Sequence, residues 1–172
     1  MVLVNEISID TVGEMEIVIR PPSASEFSEW KNLWDSYLVF YETERSREHS
    51  ESLWQRILDP ESLVRCHIAL QDGHLIGLVH FLPHEDTWKS YPICYLQDLY
   101  VEASHRGGGI GAKLIASVVE YADLSGWSAV YWLTADDNHT ARILYDKLTG
   151  GASAFIHYEI DTSSNNPQSQ RT

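Results

Sequence analysis

Apolar positions along the chain change their period repeatedly, and the changes divide it into strands and helices. Glu16–Arg20 (EIVIR) alternates and predicts a strand, which Pro21-Pro22 ends. Ser23 followed by Glu26 is a capping box for a helix. That helix carries Phe27, Trp30, Trp34, Tyr37, Leu38 and Tyr41 as one stripe. A shorter helix is expected from Ser50 to Leu58, before Asp59-Pro60. Val64–Gln71 and Leu75–Leu82 flank Asp72-Gly73 and predict a hairpin. Ile93–Val101 (ICYLQDLYV) reads as a buried strand. A glycine-rich turn over Arg106–Gly111 leads into a helix with Leu114, Ile115, Val118, Val119 and Ala122 on one face, ended by Gly126. Ala129–Thr134 predicts a strand, Thr140–Leu148 a helix stopped by Gly150-Gly151, and Ala154–Ile160 a last strand. The resulting order, β-α-α-β-β-β-α-β-α-β, has strand–helix–strand crossovers only in its second half. It predicts an α/β (α+β) fold with a mixed central sheet flanked by helices.

At 172 residues and ~150 residues per domain, one domain is expected. The expected division is an extension over 1–15, the domain over 16–161 and a polar, disordered tail over 162–172. Lys+Arg is 12 and Asp+Glu is 25, a net charge of −13. That balance argues against nucleic-acid and anionic-membrane partners and suits a cationic substrate. Cys66 and Cys94 sit in apolar runs, too few for a disulfide framework or a zinc site. They read as buried free thiols of a reducing compartment, cytoplasmic or nuclear. His80 and His84 lack a third spaced ligand, so no metal is expected. No apolar run approaches the ~18 residues of a membrane helix, and the start of the chain lacks a signal-peptide pattern.

The chemistry concentrates in the segment from Asp98 to Lys113, where a strand runs into glycines at 107, 108, 109 and 111 and then into a helix. Helix-start N–H groups lack intrahelical partners, and glycines let phosphate oxygens approach the backbone. The segment therefore reads as a pyrophosphate cradle, with Arg106 at its entrance. A dinucleotide pattern started at Gly107 and Gly109 matches with Ala112 as its third residue, but the acidic residue expected about 20 positions later is missing. The triphosphate loop fails too, because Ala112 and Leu114 occupy the positions that flank Lys113.

Arg106-x-x-Gly109-x-Gly111 after LQDLYV resembles motif A of the GNAT superfamily of acyl-CoA-dependent N-acetyltransferases. The resemblance extends from about Glu16 to Ile160. It includes Tyr131–Lys147, similar to the family's fifth strand and fourth helix, with Asn138-x-x-Ala141-x-x-x-Tyr145. CYLQDLYV, Thr87-Trp88 and LYDK are similar to the subgroup that contains the yeast histone and D-amino-acid acetyltransferases.

The resemblance implies acetyl-CoA as co-substrate, an amine of a small molecule or basic peptide as acceptor, and a homodimer. It implies that the amides of Arg106, Gly107, Gly108, Gly109, Ile110, Gly111 and Ala112 take the pyrophosphate. The backbone of Leu99 and Val101 would pair with the pantetheine arm where the fourth and fifth strands splay, Asn138 would hold the arm, and Tyr145 would protonate the departing thiolate. Many relatives carry glutamate where this chain has Gln97, and glutamine accepts no proton from ammonium. Asp98 is the remaining carboxylate, but strict alternation turns it to the other face unless a bulge intervenes. A water relay with Asp98 as catalytic or substrate-binding group is therefore expected. Tyr37, Tyr41, Glu42 and Glu44, with His80, His84 and Trp88, are candidates for the acceptor wall. Two other readings are a non-catalytic acyl-CoA-binding domain and a nicotinamide-dependent oxidoreductase. The latter lacks the ribose-binding acid and the doubly wound order.

Overall fold

The computed structural model describes residues 16–162. The expectations for 1–15 and for 163–172 lie outside the described residues. Two compact units are present, one ending at Leu133 and one beginning at Thr134.

The first unit opens with β1 (Ile17–Arg20), a 3₁₀ turn (Ala24–Glu26) and α1 (Phe27–Phe40). The expected capping box is present: the Ser23 N–H donates to Glu26 Oε2 at 2.6 Å. The Arg20 guanidinium, 2.7 Å from the Glu26 carboxylate, holds that acid down at about 2. α2 (Arg47–Leu58) starts three residues before the expected Ser50, because Ser46 caps it by accepting from the His49 N–H at 3.2 Å. Its first turn is polar, so apolar periodicity gave no sign of that start.

β2 (Arg65–Gln71) and β3 (His74–His84) form the expected hairpin, with Asp72 and Gly73 both at positive φ, 51° and 80°. β4 (Ile93–Val101) has the expected limits and leads to α3 (Ile110–Leu124) and β5 (Val130–Tyr131). The sheet order is β1-β2-β3-β4-β5, antiparallel from β1 to β4 and parallel between β4 and β5. It is mixed, as the element order predicts.

Helices cover both faces of this sheet. On one face Trp30, Leu33, Trp34 and Leu38 of α1 and Leu53, Trp54 and Ile57 of α2 cluster with Cys66, Ile68, Leu78 and Tyr100. On the other face α3 packs against β2, β3 and β4 with Leu114, Ile115 and Val118 buried. Gly77 permits that approach: a Cβ there would lie 3.0 Å from the Tyr100 carbonyl oxygen and 3.1 Å from Leu114 Cδ1. Cys66 and Cys94 are free and buried, as expected.

Two expectations need correction. β5 covers Val130–Tyr131 rather than 129–134, because its ladder with β4 ends at the Tyr95–Tyr131 pair. The last strand, over 154–160, does not form. The second unit contains α4 (His139–Thr149) and no strand among its described residues, so this segment has no ladder to join there. Its alternating apolar side chains stay in solvent, with Phe155 at 84% and Tyr158 at 86% exposure.

Candidate active site

The loop after β4 is where the sequence predicts the pyrophosphate cradle. A 3₁₀ turn (Ala103–His105) leads to Arg106, and Gly107 and Gly109 adopt left-handed backbone at φ 85° and 77°. An L side chain rarely adopts that conformation, and no atom lies within 4 Å of where a Cβ would sit at either glycine. Gly109 is the N-cap of α3, and the helix's own hydrogen bonding begins with Lys113 N–H to the Gly109 carbonyl at 3.1 Å. The N–H groups of Ile110, Gly111 and Ala112 are thus the orphan donors of the first turn. Ile110 is buried and anchors this helix start, whereas Gly107, Gly108 and Gly109 are exposed. The Arg106 amide is already used, donating to the Ala103 carbonyl at 3.4 Å. Its side chain is engaged as well. Nε donates to the Val101 carbonyl at 2.9 Å, and the guanidinium lies 5.5 Å from the Phe40 ring centre and 5.4 Å from that of Tyr100.

The strand that feeds this loop has an open edge. β4 pairs with β5 only through Cys94–Val130 and Tyr95–Tyr131. Glu102 N–H donates across to the Ile76 carbonyl of β3 at 2.9 Å, so by alternation the groups of Val101 and Leu99 face the other, open side. The expected splay and the two residues nominated for backbone pairing coincide there. Tyr95 stacks on Tyr131, whose hydroxyl lies 3.0 Å from His84 Nε2, beside the short ladder.

A bulge decides where Asp98 points. Asp98 is opposite His80 and Leu96 is opposite Phe81, which leaves Gln97 without a partner. Adjacent residues His80 and Phe81 face opposite sides of β3. Leu96 and Asp98, two positions apart, therefore face opposite sides as well. Phe81 lies against His67 and Tyr121 on the α3 side. His80 and Asp98 lie on the α1 side, where Trp30 Nε1 donates to His80 Nε2 at 3.0 Å and His80 Nδ1 is 3.0 Å from Asp98 Oδ2.

Tyr37 lies beside this cluster, close enough for the Asp98 charge to act on its hydroxyl. Burial, then the Asp98 charge, push the Tyr37 hydroxyl well above the usual tyrosine value. The same two causes raise Tyr41, which packs on Tyr37 at 4.9 Å between ring centres and remains partly exposed. The Trp34 indole stacks on Tyr37, and its Nε1 is buried without a hydrogen-bond partner among the described residues. The residues expected to form an acceptor wall are thus divided. Tyr37, Tyr41, His80 and Asp98 come together, while Glu42 and Glu44 lie exposed beyond the end of α1, and Trp88 is exposed in the loop before β4. Trp30 belongs to the cluster too. The sequence shows it only as one member of an apolar stripe, and an indole donor facing a strand histidine is visible only once register is known.

In the second unit, Asn138 is the N-cap of α4. Its Oδ1 accepts from the Ala141 N–H at 3.4 Å and its Nδ2 donates to Thr134 Oγ1 at 3.3 Å. Tyr145 lies in the middle of α4 and is half-buried.

The Acetyltransferase (GNAT) family matches residues 30–150, most of the chain. The protein belongs to the GNAT acetyltransferase family. This GNAT protein is 34% identical over 134 residues to the D-amino-acid N-acetyltransferase HPA3 of Saccharomyces cerevisiae, covering 77% of this chain and 83% of the relative. It is 29% identical over 147 residues to the thialysine N-epsilon-acetyltransferase of Bos taurus, covering 86% and 82%. Among solved structures, an aminoglycoside N-acetyltransferase, AAC(6')-Iy, in complex with CoA superposes with a TM-score of 0.76 at 17% identity, over 88% of this chain and 99% of that one. At that identity the likeness shows the shared fold. The family, the fold and the yeast-like subgroup expected from the sequence are all shown. As a GNAT acetyltransferase the chain is an N-acetyltransferase of the acetyl-CoA-using kind.

Proposed function

We propose that this chain transfers the acetyl group of acetyl-CoA to the primary amine of a small molecule or basic peptide, with both substrates bound together. The observation that carries the reading is the open edge of β4 running directly into a loop whose next helix offers three unpaired N–H groups. An extended amide-bearing chain that ends in a pyrophosphate fits such a track, and bound acetyl-CoA supplies the activated thioester. The Ile110, Gly111 and Ala112 amides hold the phosphates, and Gly107, Gly108 and Gly109 keep the approach clear of side chains. Arg106 adds charge from its side chain rather than from its amide, which the turn has taken. Leu99 and Val101 pair with the amide arm, for which the Arg106 side chain must release the Val101 carbonyl. Asn138 holds the arm from its cap position.

The attacking nitrogen must be neutral, so an ammonium must shed a proton. Gln97 accepts none. Asp98, turned to the α1 side by the bulge, holds the ammonium and passes its proton on through water. Tyr145 donates to the thiolate, for which a phenol is a suitable acid. The relatives named for D-amino acids and thialysine support amine-bearing amino acids as the first acceptors to try. A homodimer belongs to the same reading, supported by the exposed Trp88, Tyr91, Phe155 and Tyr158.

The test is thiol release from acetyl-CoA with thialysine, D-amino acids, polyamines and aminoglycosides, alongside a thermal shift with CoA. Turnover and a stabilisation by CoA that Gly109→Asp abolishes are expected. CoA binding without turnover of any amine would make this a non-catalytic binding domain. No shift at millimolar CoA would end the reading altogether.

A further inference from the structure

We propose that His80 is a positioning residue that presents the Asp98 carboxylate to a protonated aliphatic amine, and that Trp30 keeps its Nε2 unprotonated. The proposal rests on the acetyltransferase reading above.

An indole N–H can only donate. Trp30 Nε1 lies 3.0 Å from His80 Nε2, so Nε2 carries a lone pair and no proton. The single ring proton of a neutral imidazole is then on Nδ1, which lies 3.0 Å from Asp98 Oδ2 and donates to it. Each group has one hydrogen-bonding role: Trp30 donates, His80 accepts on Nε2 and donates from Nδ1, and Asp98 accepts. Protonating Nε2 would bring two N–H groups face to face inside the core, where Trp30 is fully buried and His80 is 3% exposed. His80 therefore cannot take up the acceptor's proton without breaking the bond to Trp30. Its role is to orient the carboxylate.

Asp98 keeps capacity for a ligand. A carboxylate offers about four lone-pair directions, of which His80 Nδ1–H takes one, with the Tyr37 hydroxyl near enough to feel the charge. Asp98 is itself 8% exposed, so it is nearly but not wholly enclosed. Tyr41 packs on Tyr37, is partly exposed, and feels the Asp98 charge at its hydroxyl, which marks the side from which solvent reaches the cluster. A carboxylate walled by tyrosine rings favours a compact cation. Weakly basic arylamines, neutral at pH 7, would gain nothing from it. The bulge at Gln97 is what brings Asp98 to this face, so the same backbone irregularity selects the carboxylate and removes the neighbouring amide from the task.

Two measurements test this on the full chain. Long-range ¹H–¹⁵N correlation spectra, recorded without substrate, are expected to show His80 protonated on Nδ1 alone, and protonation reaching Nε2 as well in Trp30→Phe, where no indole donor blocks it. Steady-state kinetics with the fastest amine of the panel above are expected to show a fall of about tenfold to a hundredfold in kcat/KM for the amine in His80→Leu, the loss that goes with one hydrogen bond to a charged group. The KM for acetyl-CoA should not move. His80→Asn, whose side-chain amide can donate in place of Nδ1–H, should recover most of the loss. In an Asp98→Asn background His80→Leu should add nothing further. Should His80→Leu not fold, the comparison of His80→Asn with wild type and of Trp30→Phe with wild type decides the same point. Protonated Nε2 in an active enzyme, equal effects of His80→Asn and His80→Leu, or additivity with Asp98→Asn would each overturn the proposal and leave the acetyltransferase reading intact. Absence of turnover with every amine would sink that reading and this one with it.

Discussion

His67 and His80 stand on neighbouring strands, both 3% exposed, and face opposite sides of the same sheet. On the α3 side, His67 Nδ1 lies 2.9 Å from Ser117 Oγ, and that hydroxyl gives its own proton to the Leu114 carbonyl at 2.8 Å. Nδ1 must therefore be the donor. Phe81 and Tyr121 meet the ring edge-on, and burial pushes the imidazole down to about 4. On the α1 side, His80 has a carboxylate on one nitrogen and an indole donor on the other. Both imidazoles donate through Nδ1, but only His80 aims at a carboxylate that still has room for a ligand. Burial alone does not make a histidine functional; the partner it orients does.

The largest effect that would sharpen this contrast is acid sensitivity on the α3 side. His67 stays neutral in the fold down to about 4, whereas an unfolded histidine takes a proton below about 6.5. Between those values the unfolded chain binds more protons, so stability is complete above about 6.5 and falls as pH drops towards 4. The full span is about 3 kcal/mol by linkage. Urea unfolding of wild type and His67→Leu across pH 4.5–7 measures it: their difference should shrink as the pH falls. A pH-independent difference would mean that folding leaves His67 as free to take a proton as it is in the unfolded chain.

Packing of the same face against α3 should cost somewhat less to disturb. Gly77→Ala places a methyl 3.0 Å from the Tyr100 carbonyl oxygen, which is backbone and cannot step aside easily. A destabilisation of about 1–3 kcal/mol is expected from such overpacking. Unchanged denaturant midpoints would show that α3 can move away from β3.

The smallest effect compares two tryptophans on the α1 side. Trp30→Phe and Trp34→Phe remove the same volume from one helix. Trp30→Phe also strips His80 Nε2 of its donor, whereas Trp34 Nε1 has no partner among the described residues to lose. Trp30→Phe should be the more destabilising by about 1 kcal/mol, the net value of one buried hydrogen bond. Equal midpoints in parallel denaturation curves would dissolve the distinction between the two indoles.

Much of the fold was legible in local patterns. The Asp72-Gly73 hairpin, the limits of β4, the capping box at Ser23 and the glycine turn before α3 are each set by interactions within a few residues. Asn138 and Tyr145 are nominated through their spacing in the family motif, and the structure puts them at the cap and in the middle of α4. The start of α2 was missed because its cap is followed by a polar turn. The strand expected over 154–160 failed for a different reason. Its alternation is real, but a strand forms only where another strand offers N–H and C=O groups, and its unit provides none among the described residues.

The candidate site divides along the same line. The sequence by itself determined the element order as far as α4, the glycine-rich turn before α3, and the presence of Asp98 beside a glutamine that cannot serve as a base. Only the tertiary structure decided that Asp98 faces α1, that His80 is its partner, and that Trp30 rather than Trp34 meets the imidazole's Nε2. The reason is register. Side-chain direction in a strand alternates with a period of two, so one extra residue at Gln97 reverses the faces of the residues on either side of it. Nothing in the local sequence marks that residue as the one left unpaired, because the bulge exists only in the pairing of β4 with β3.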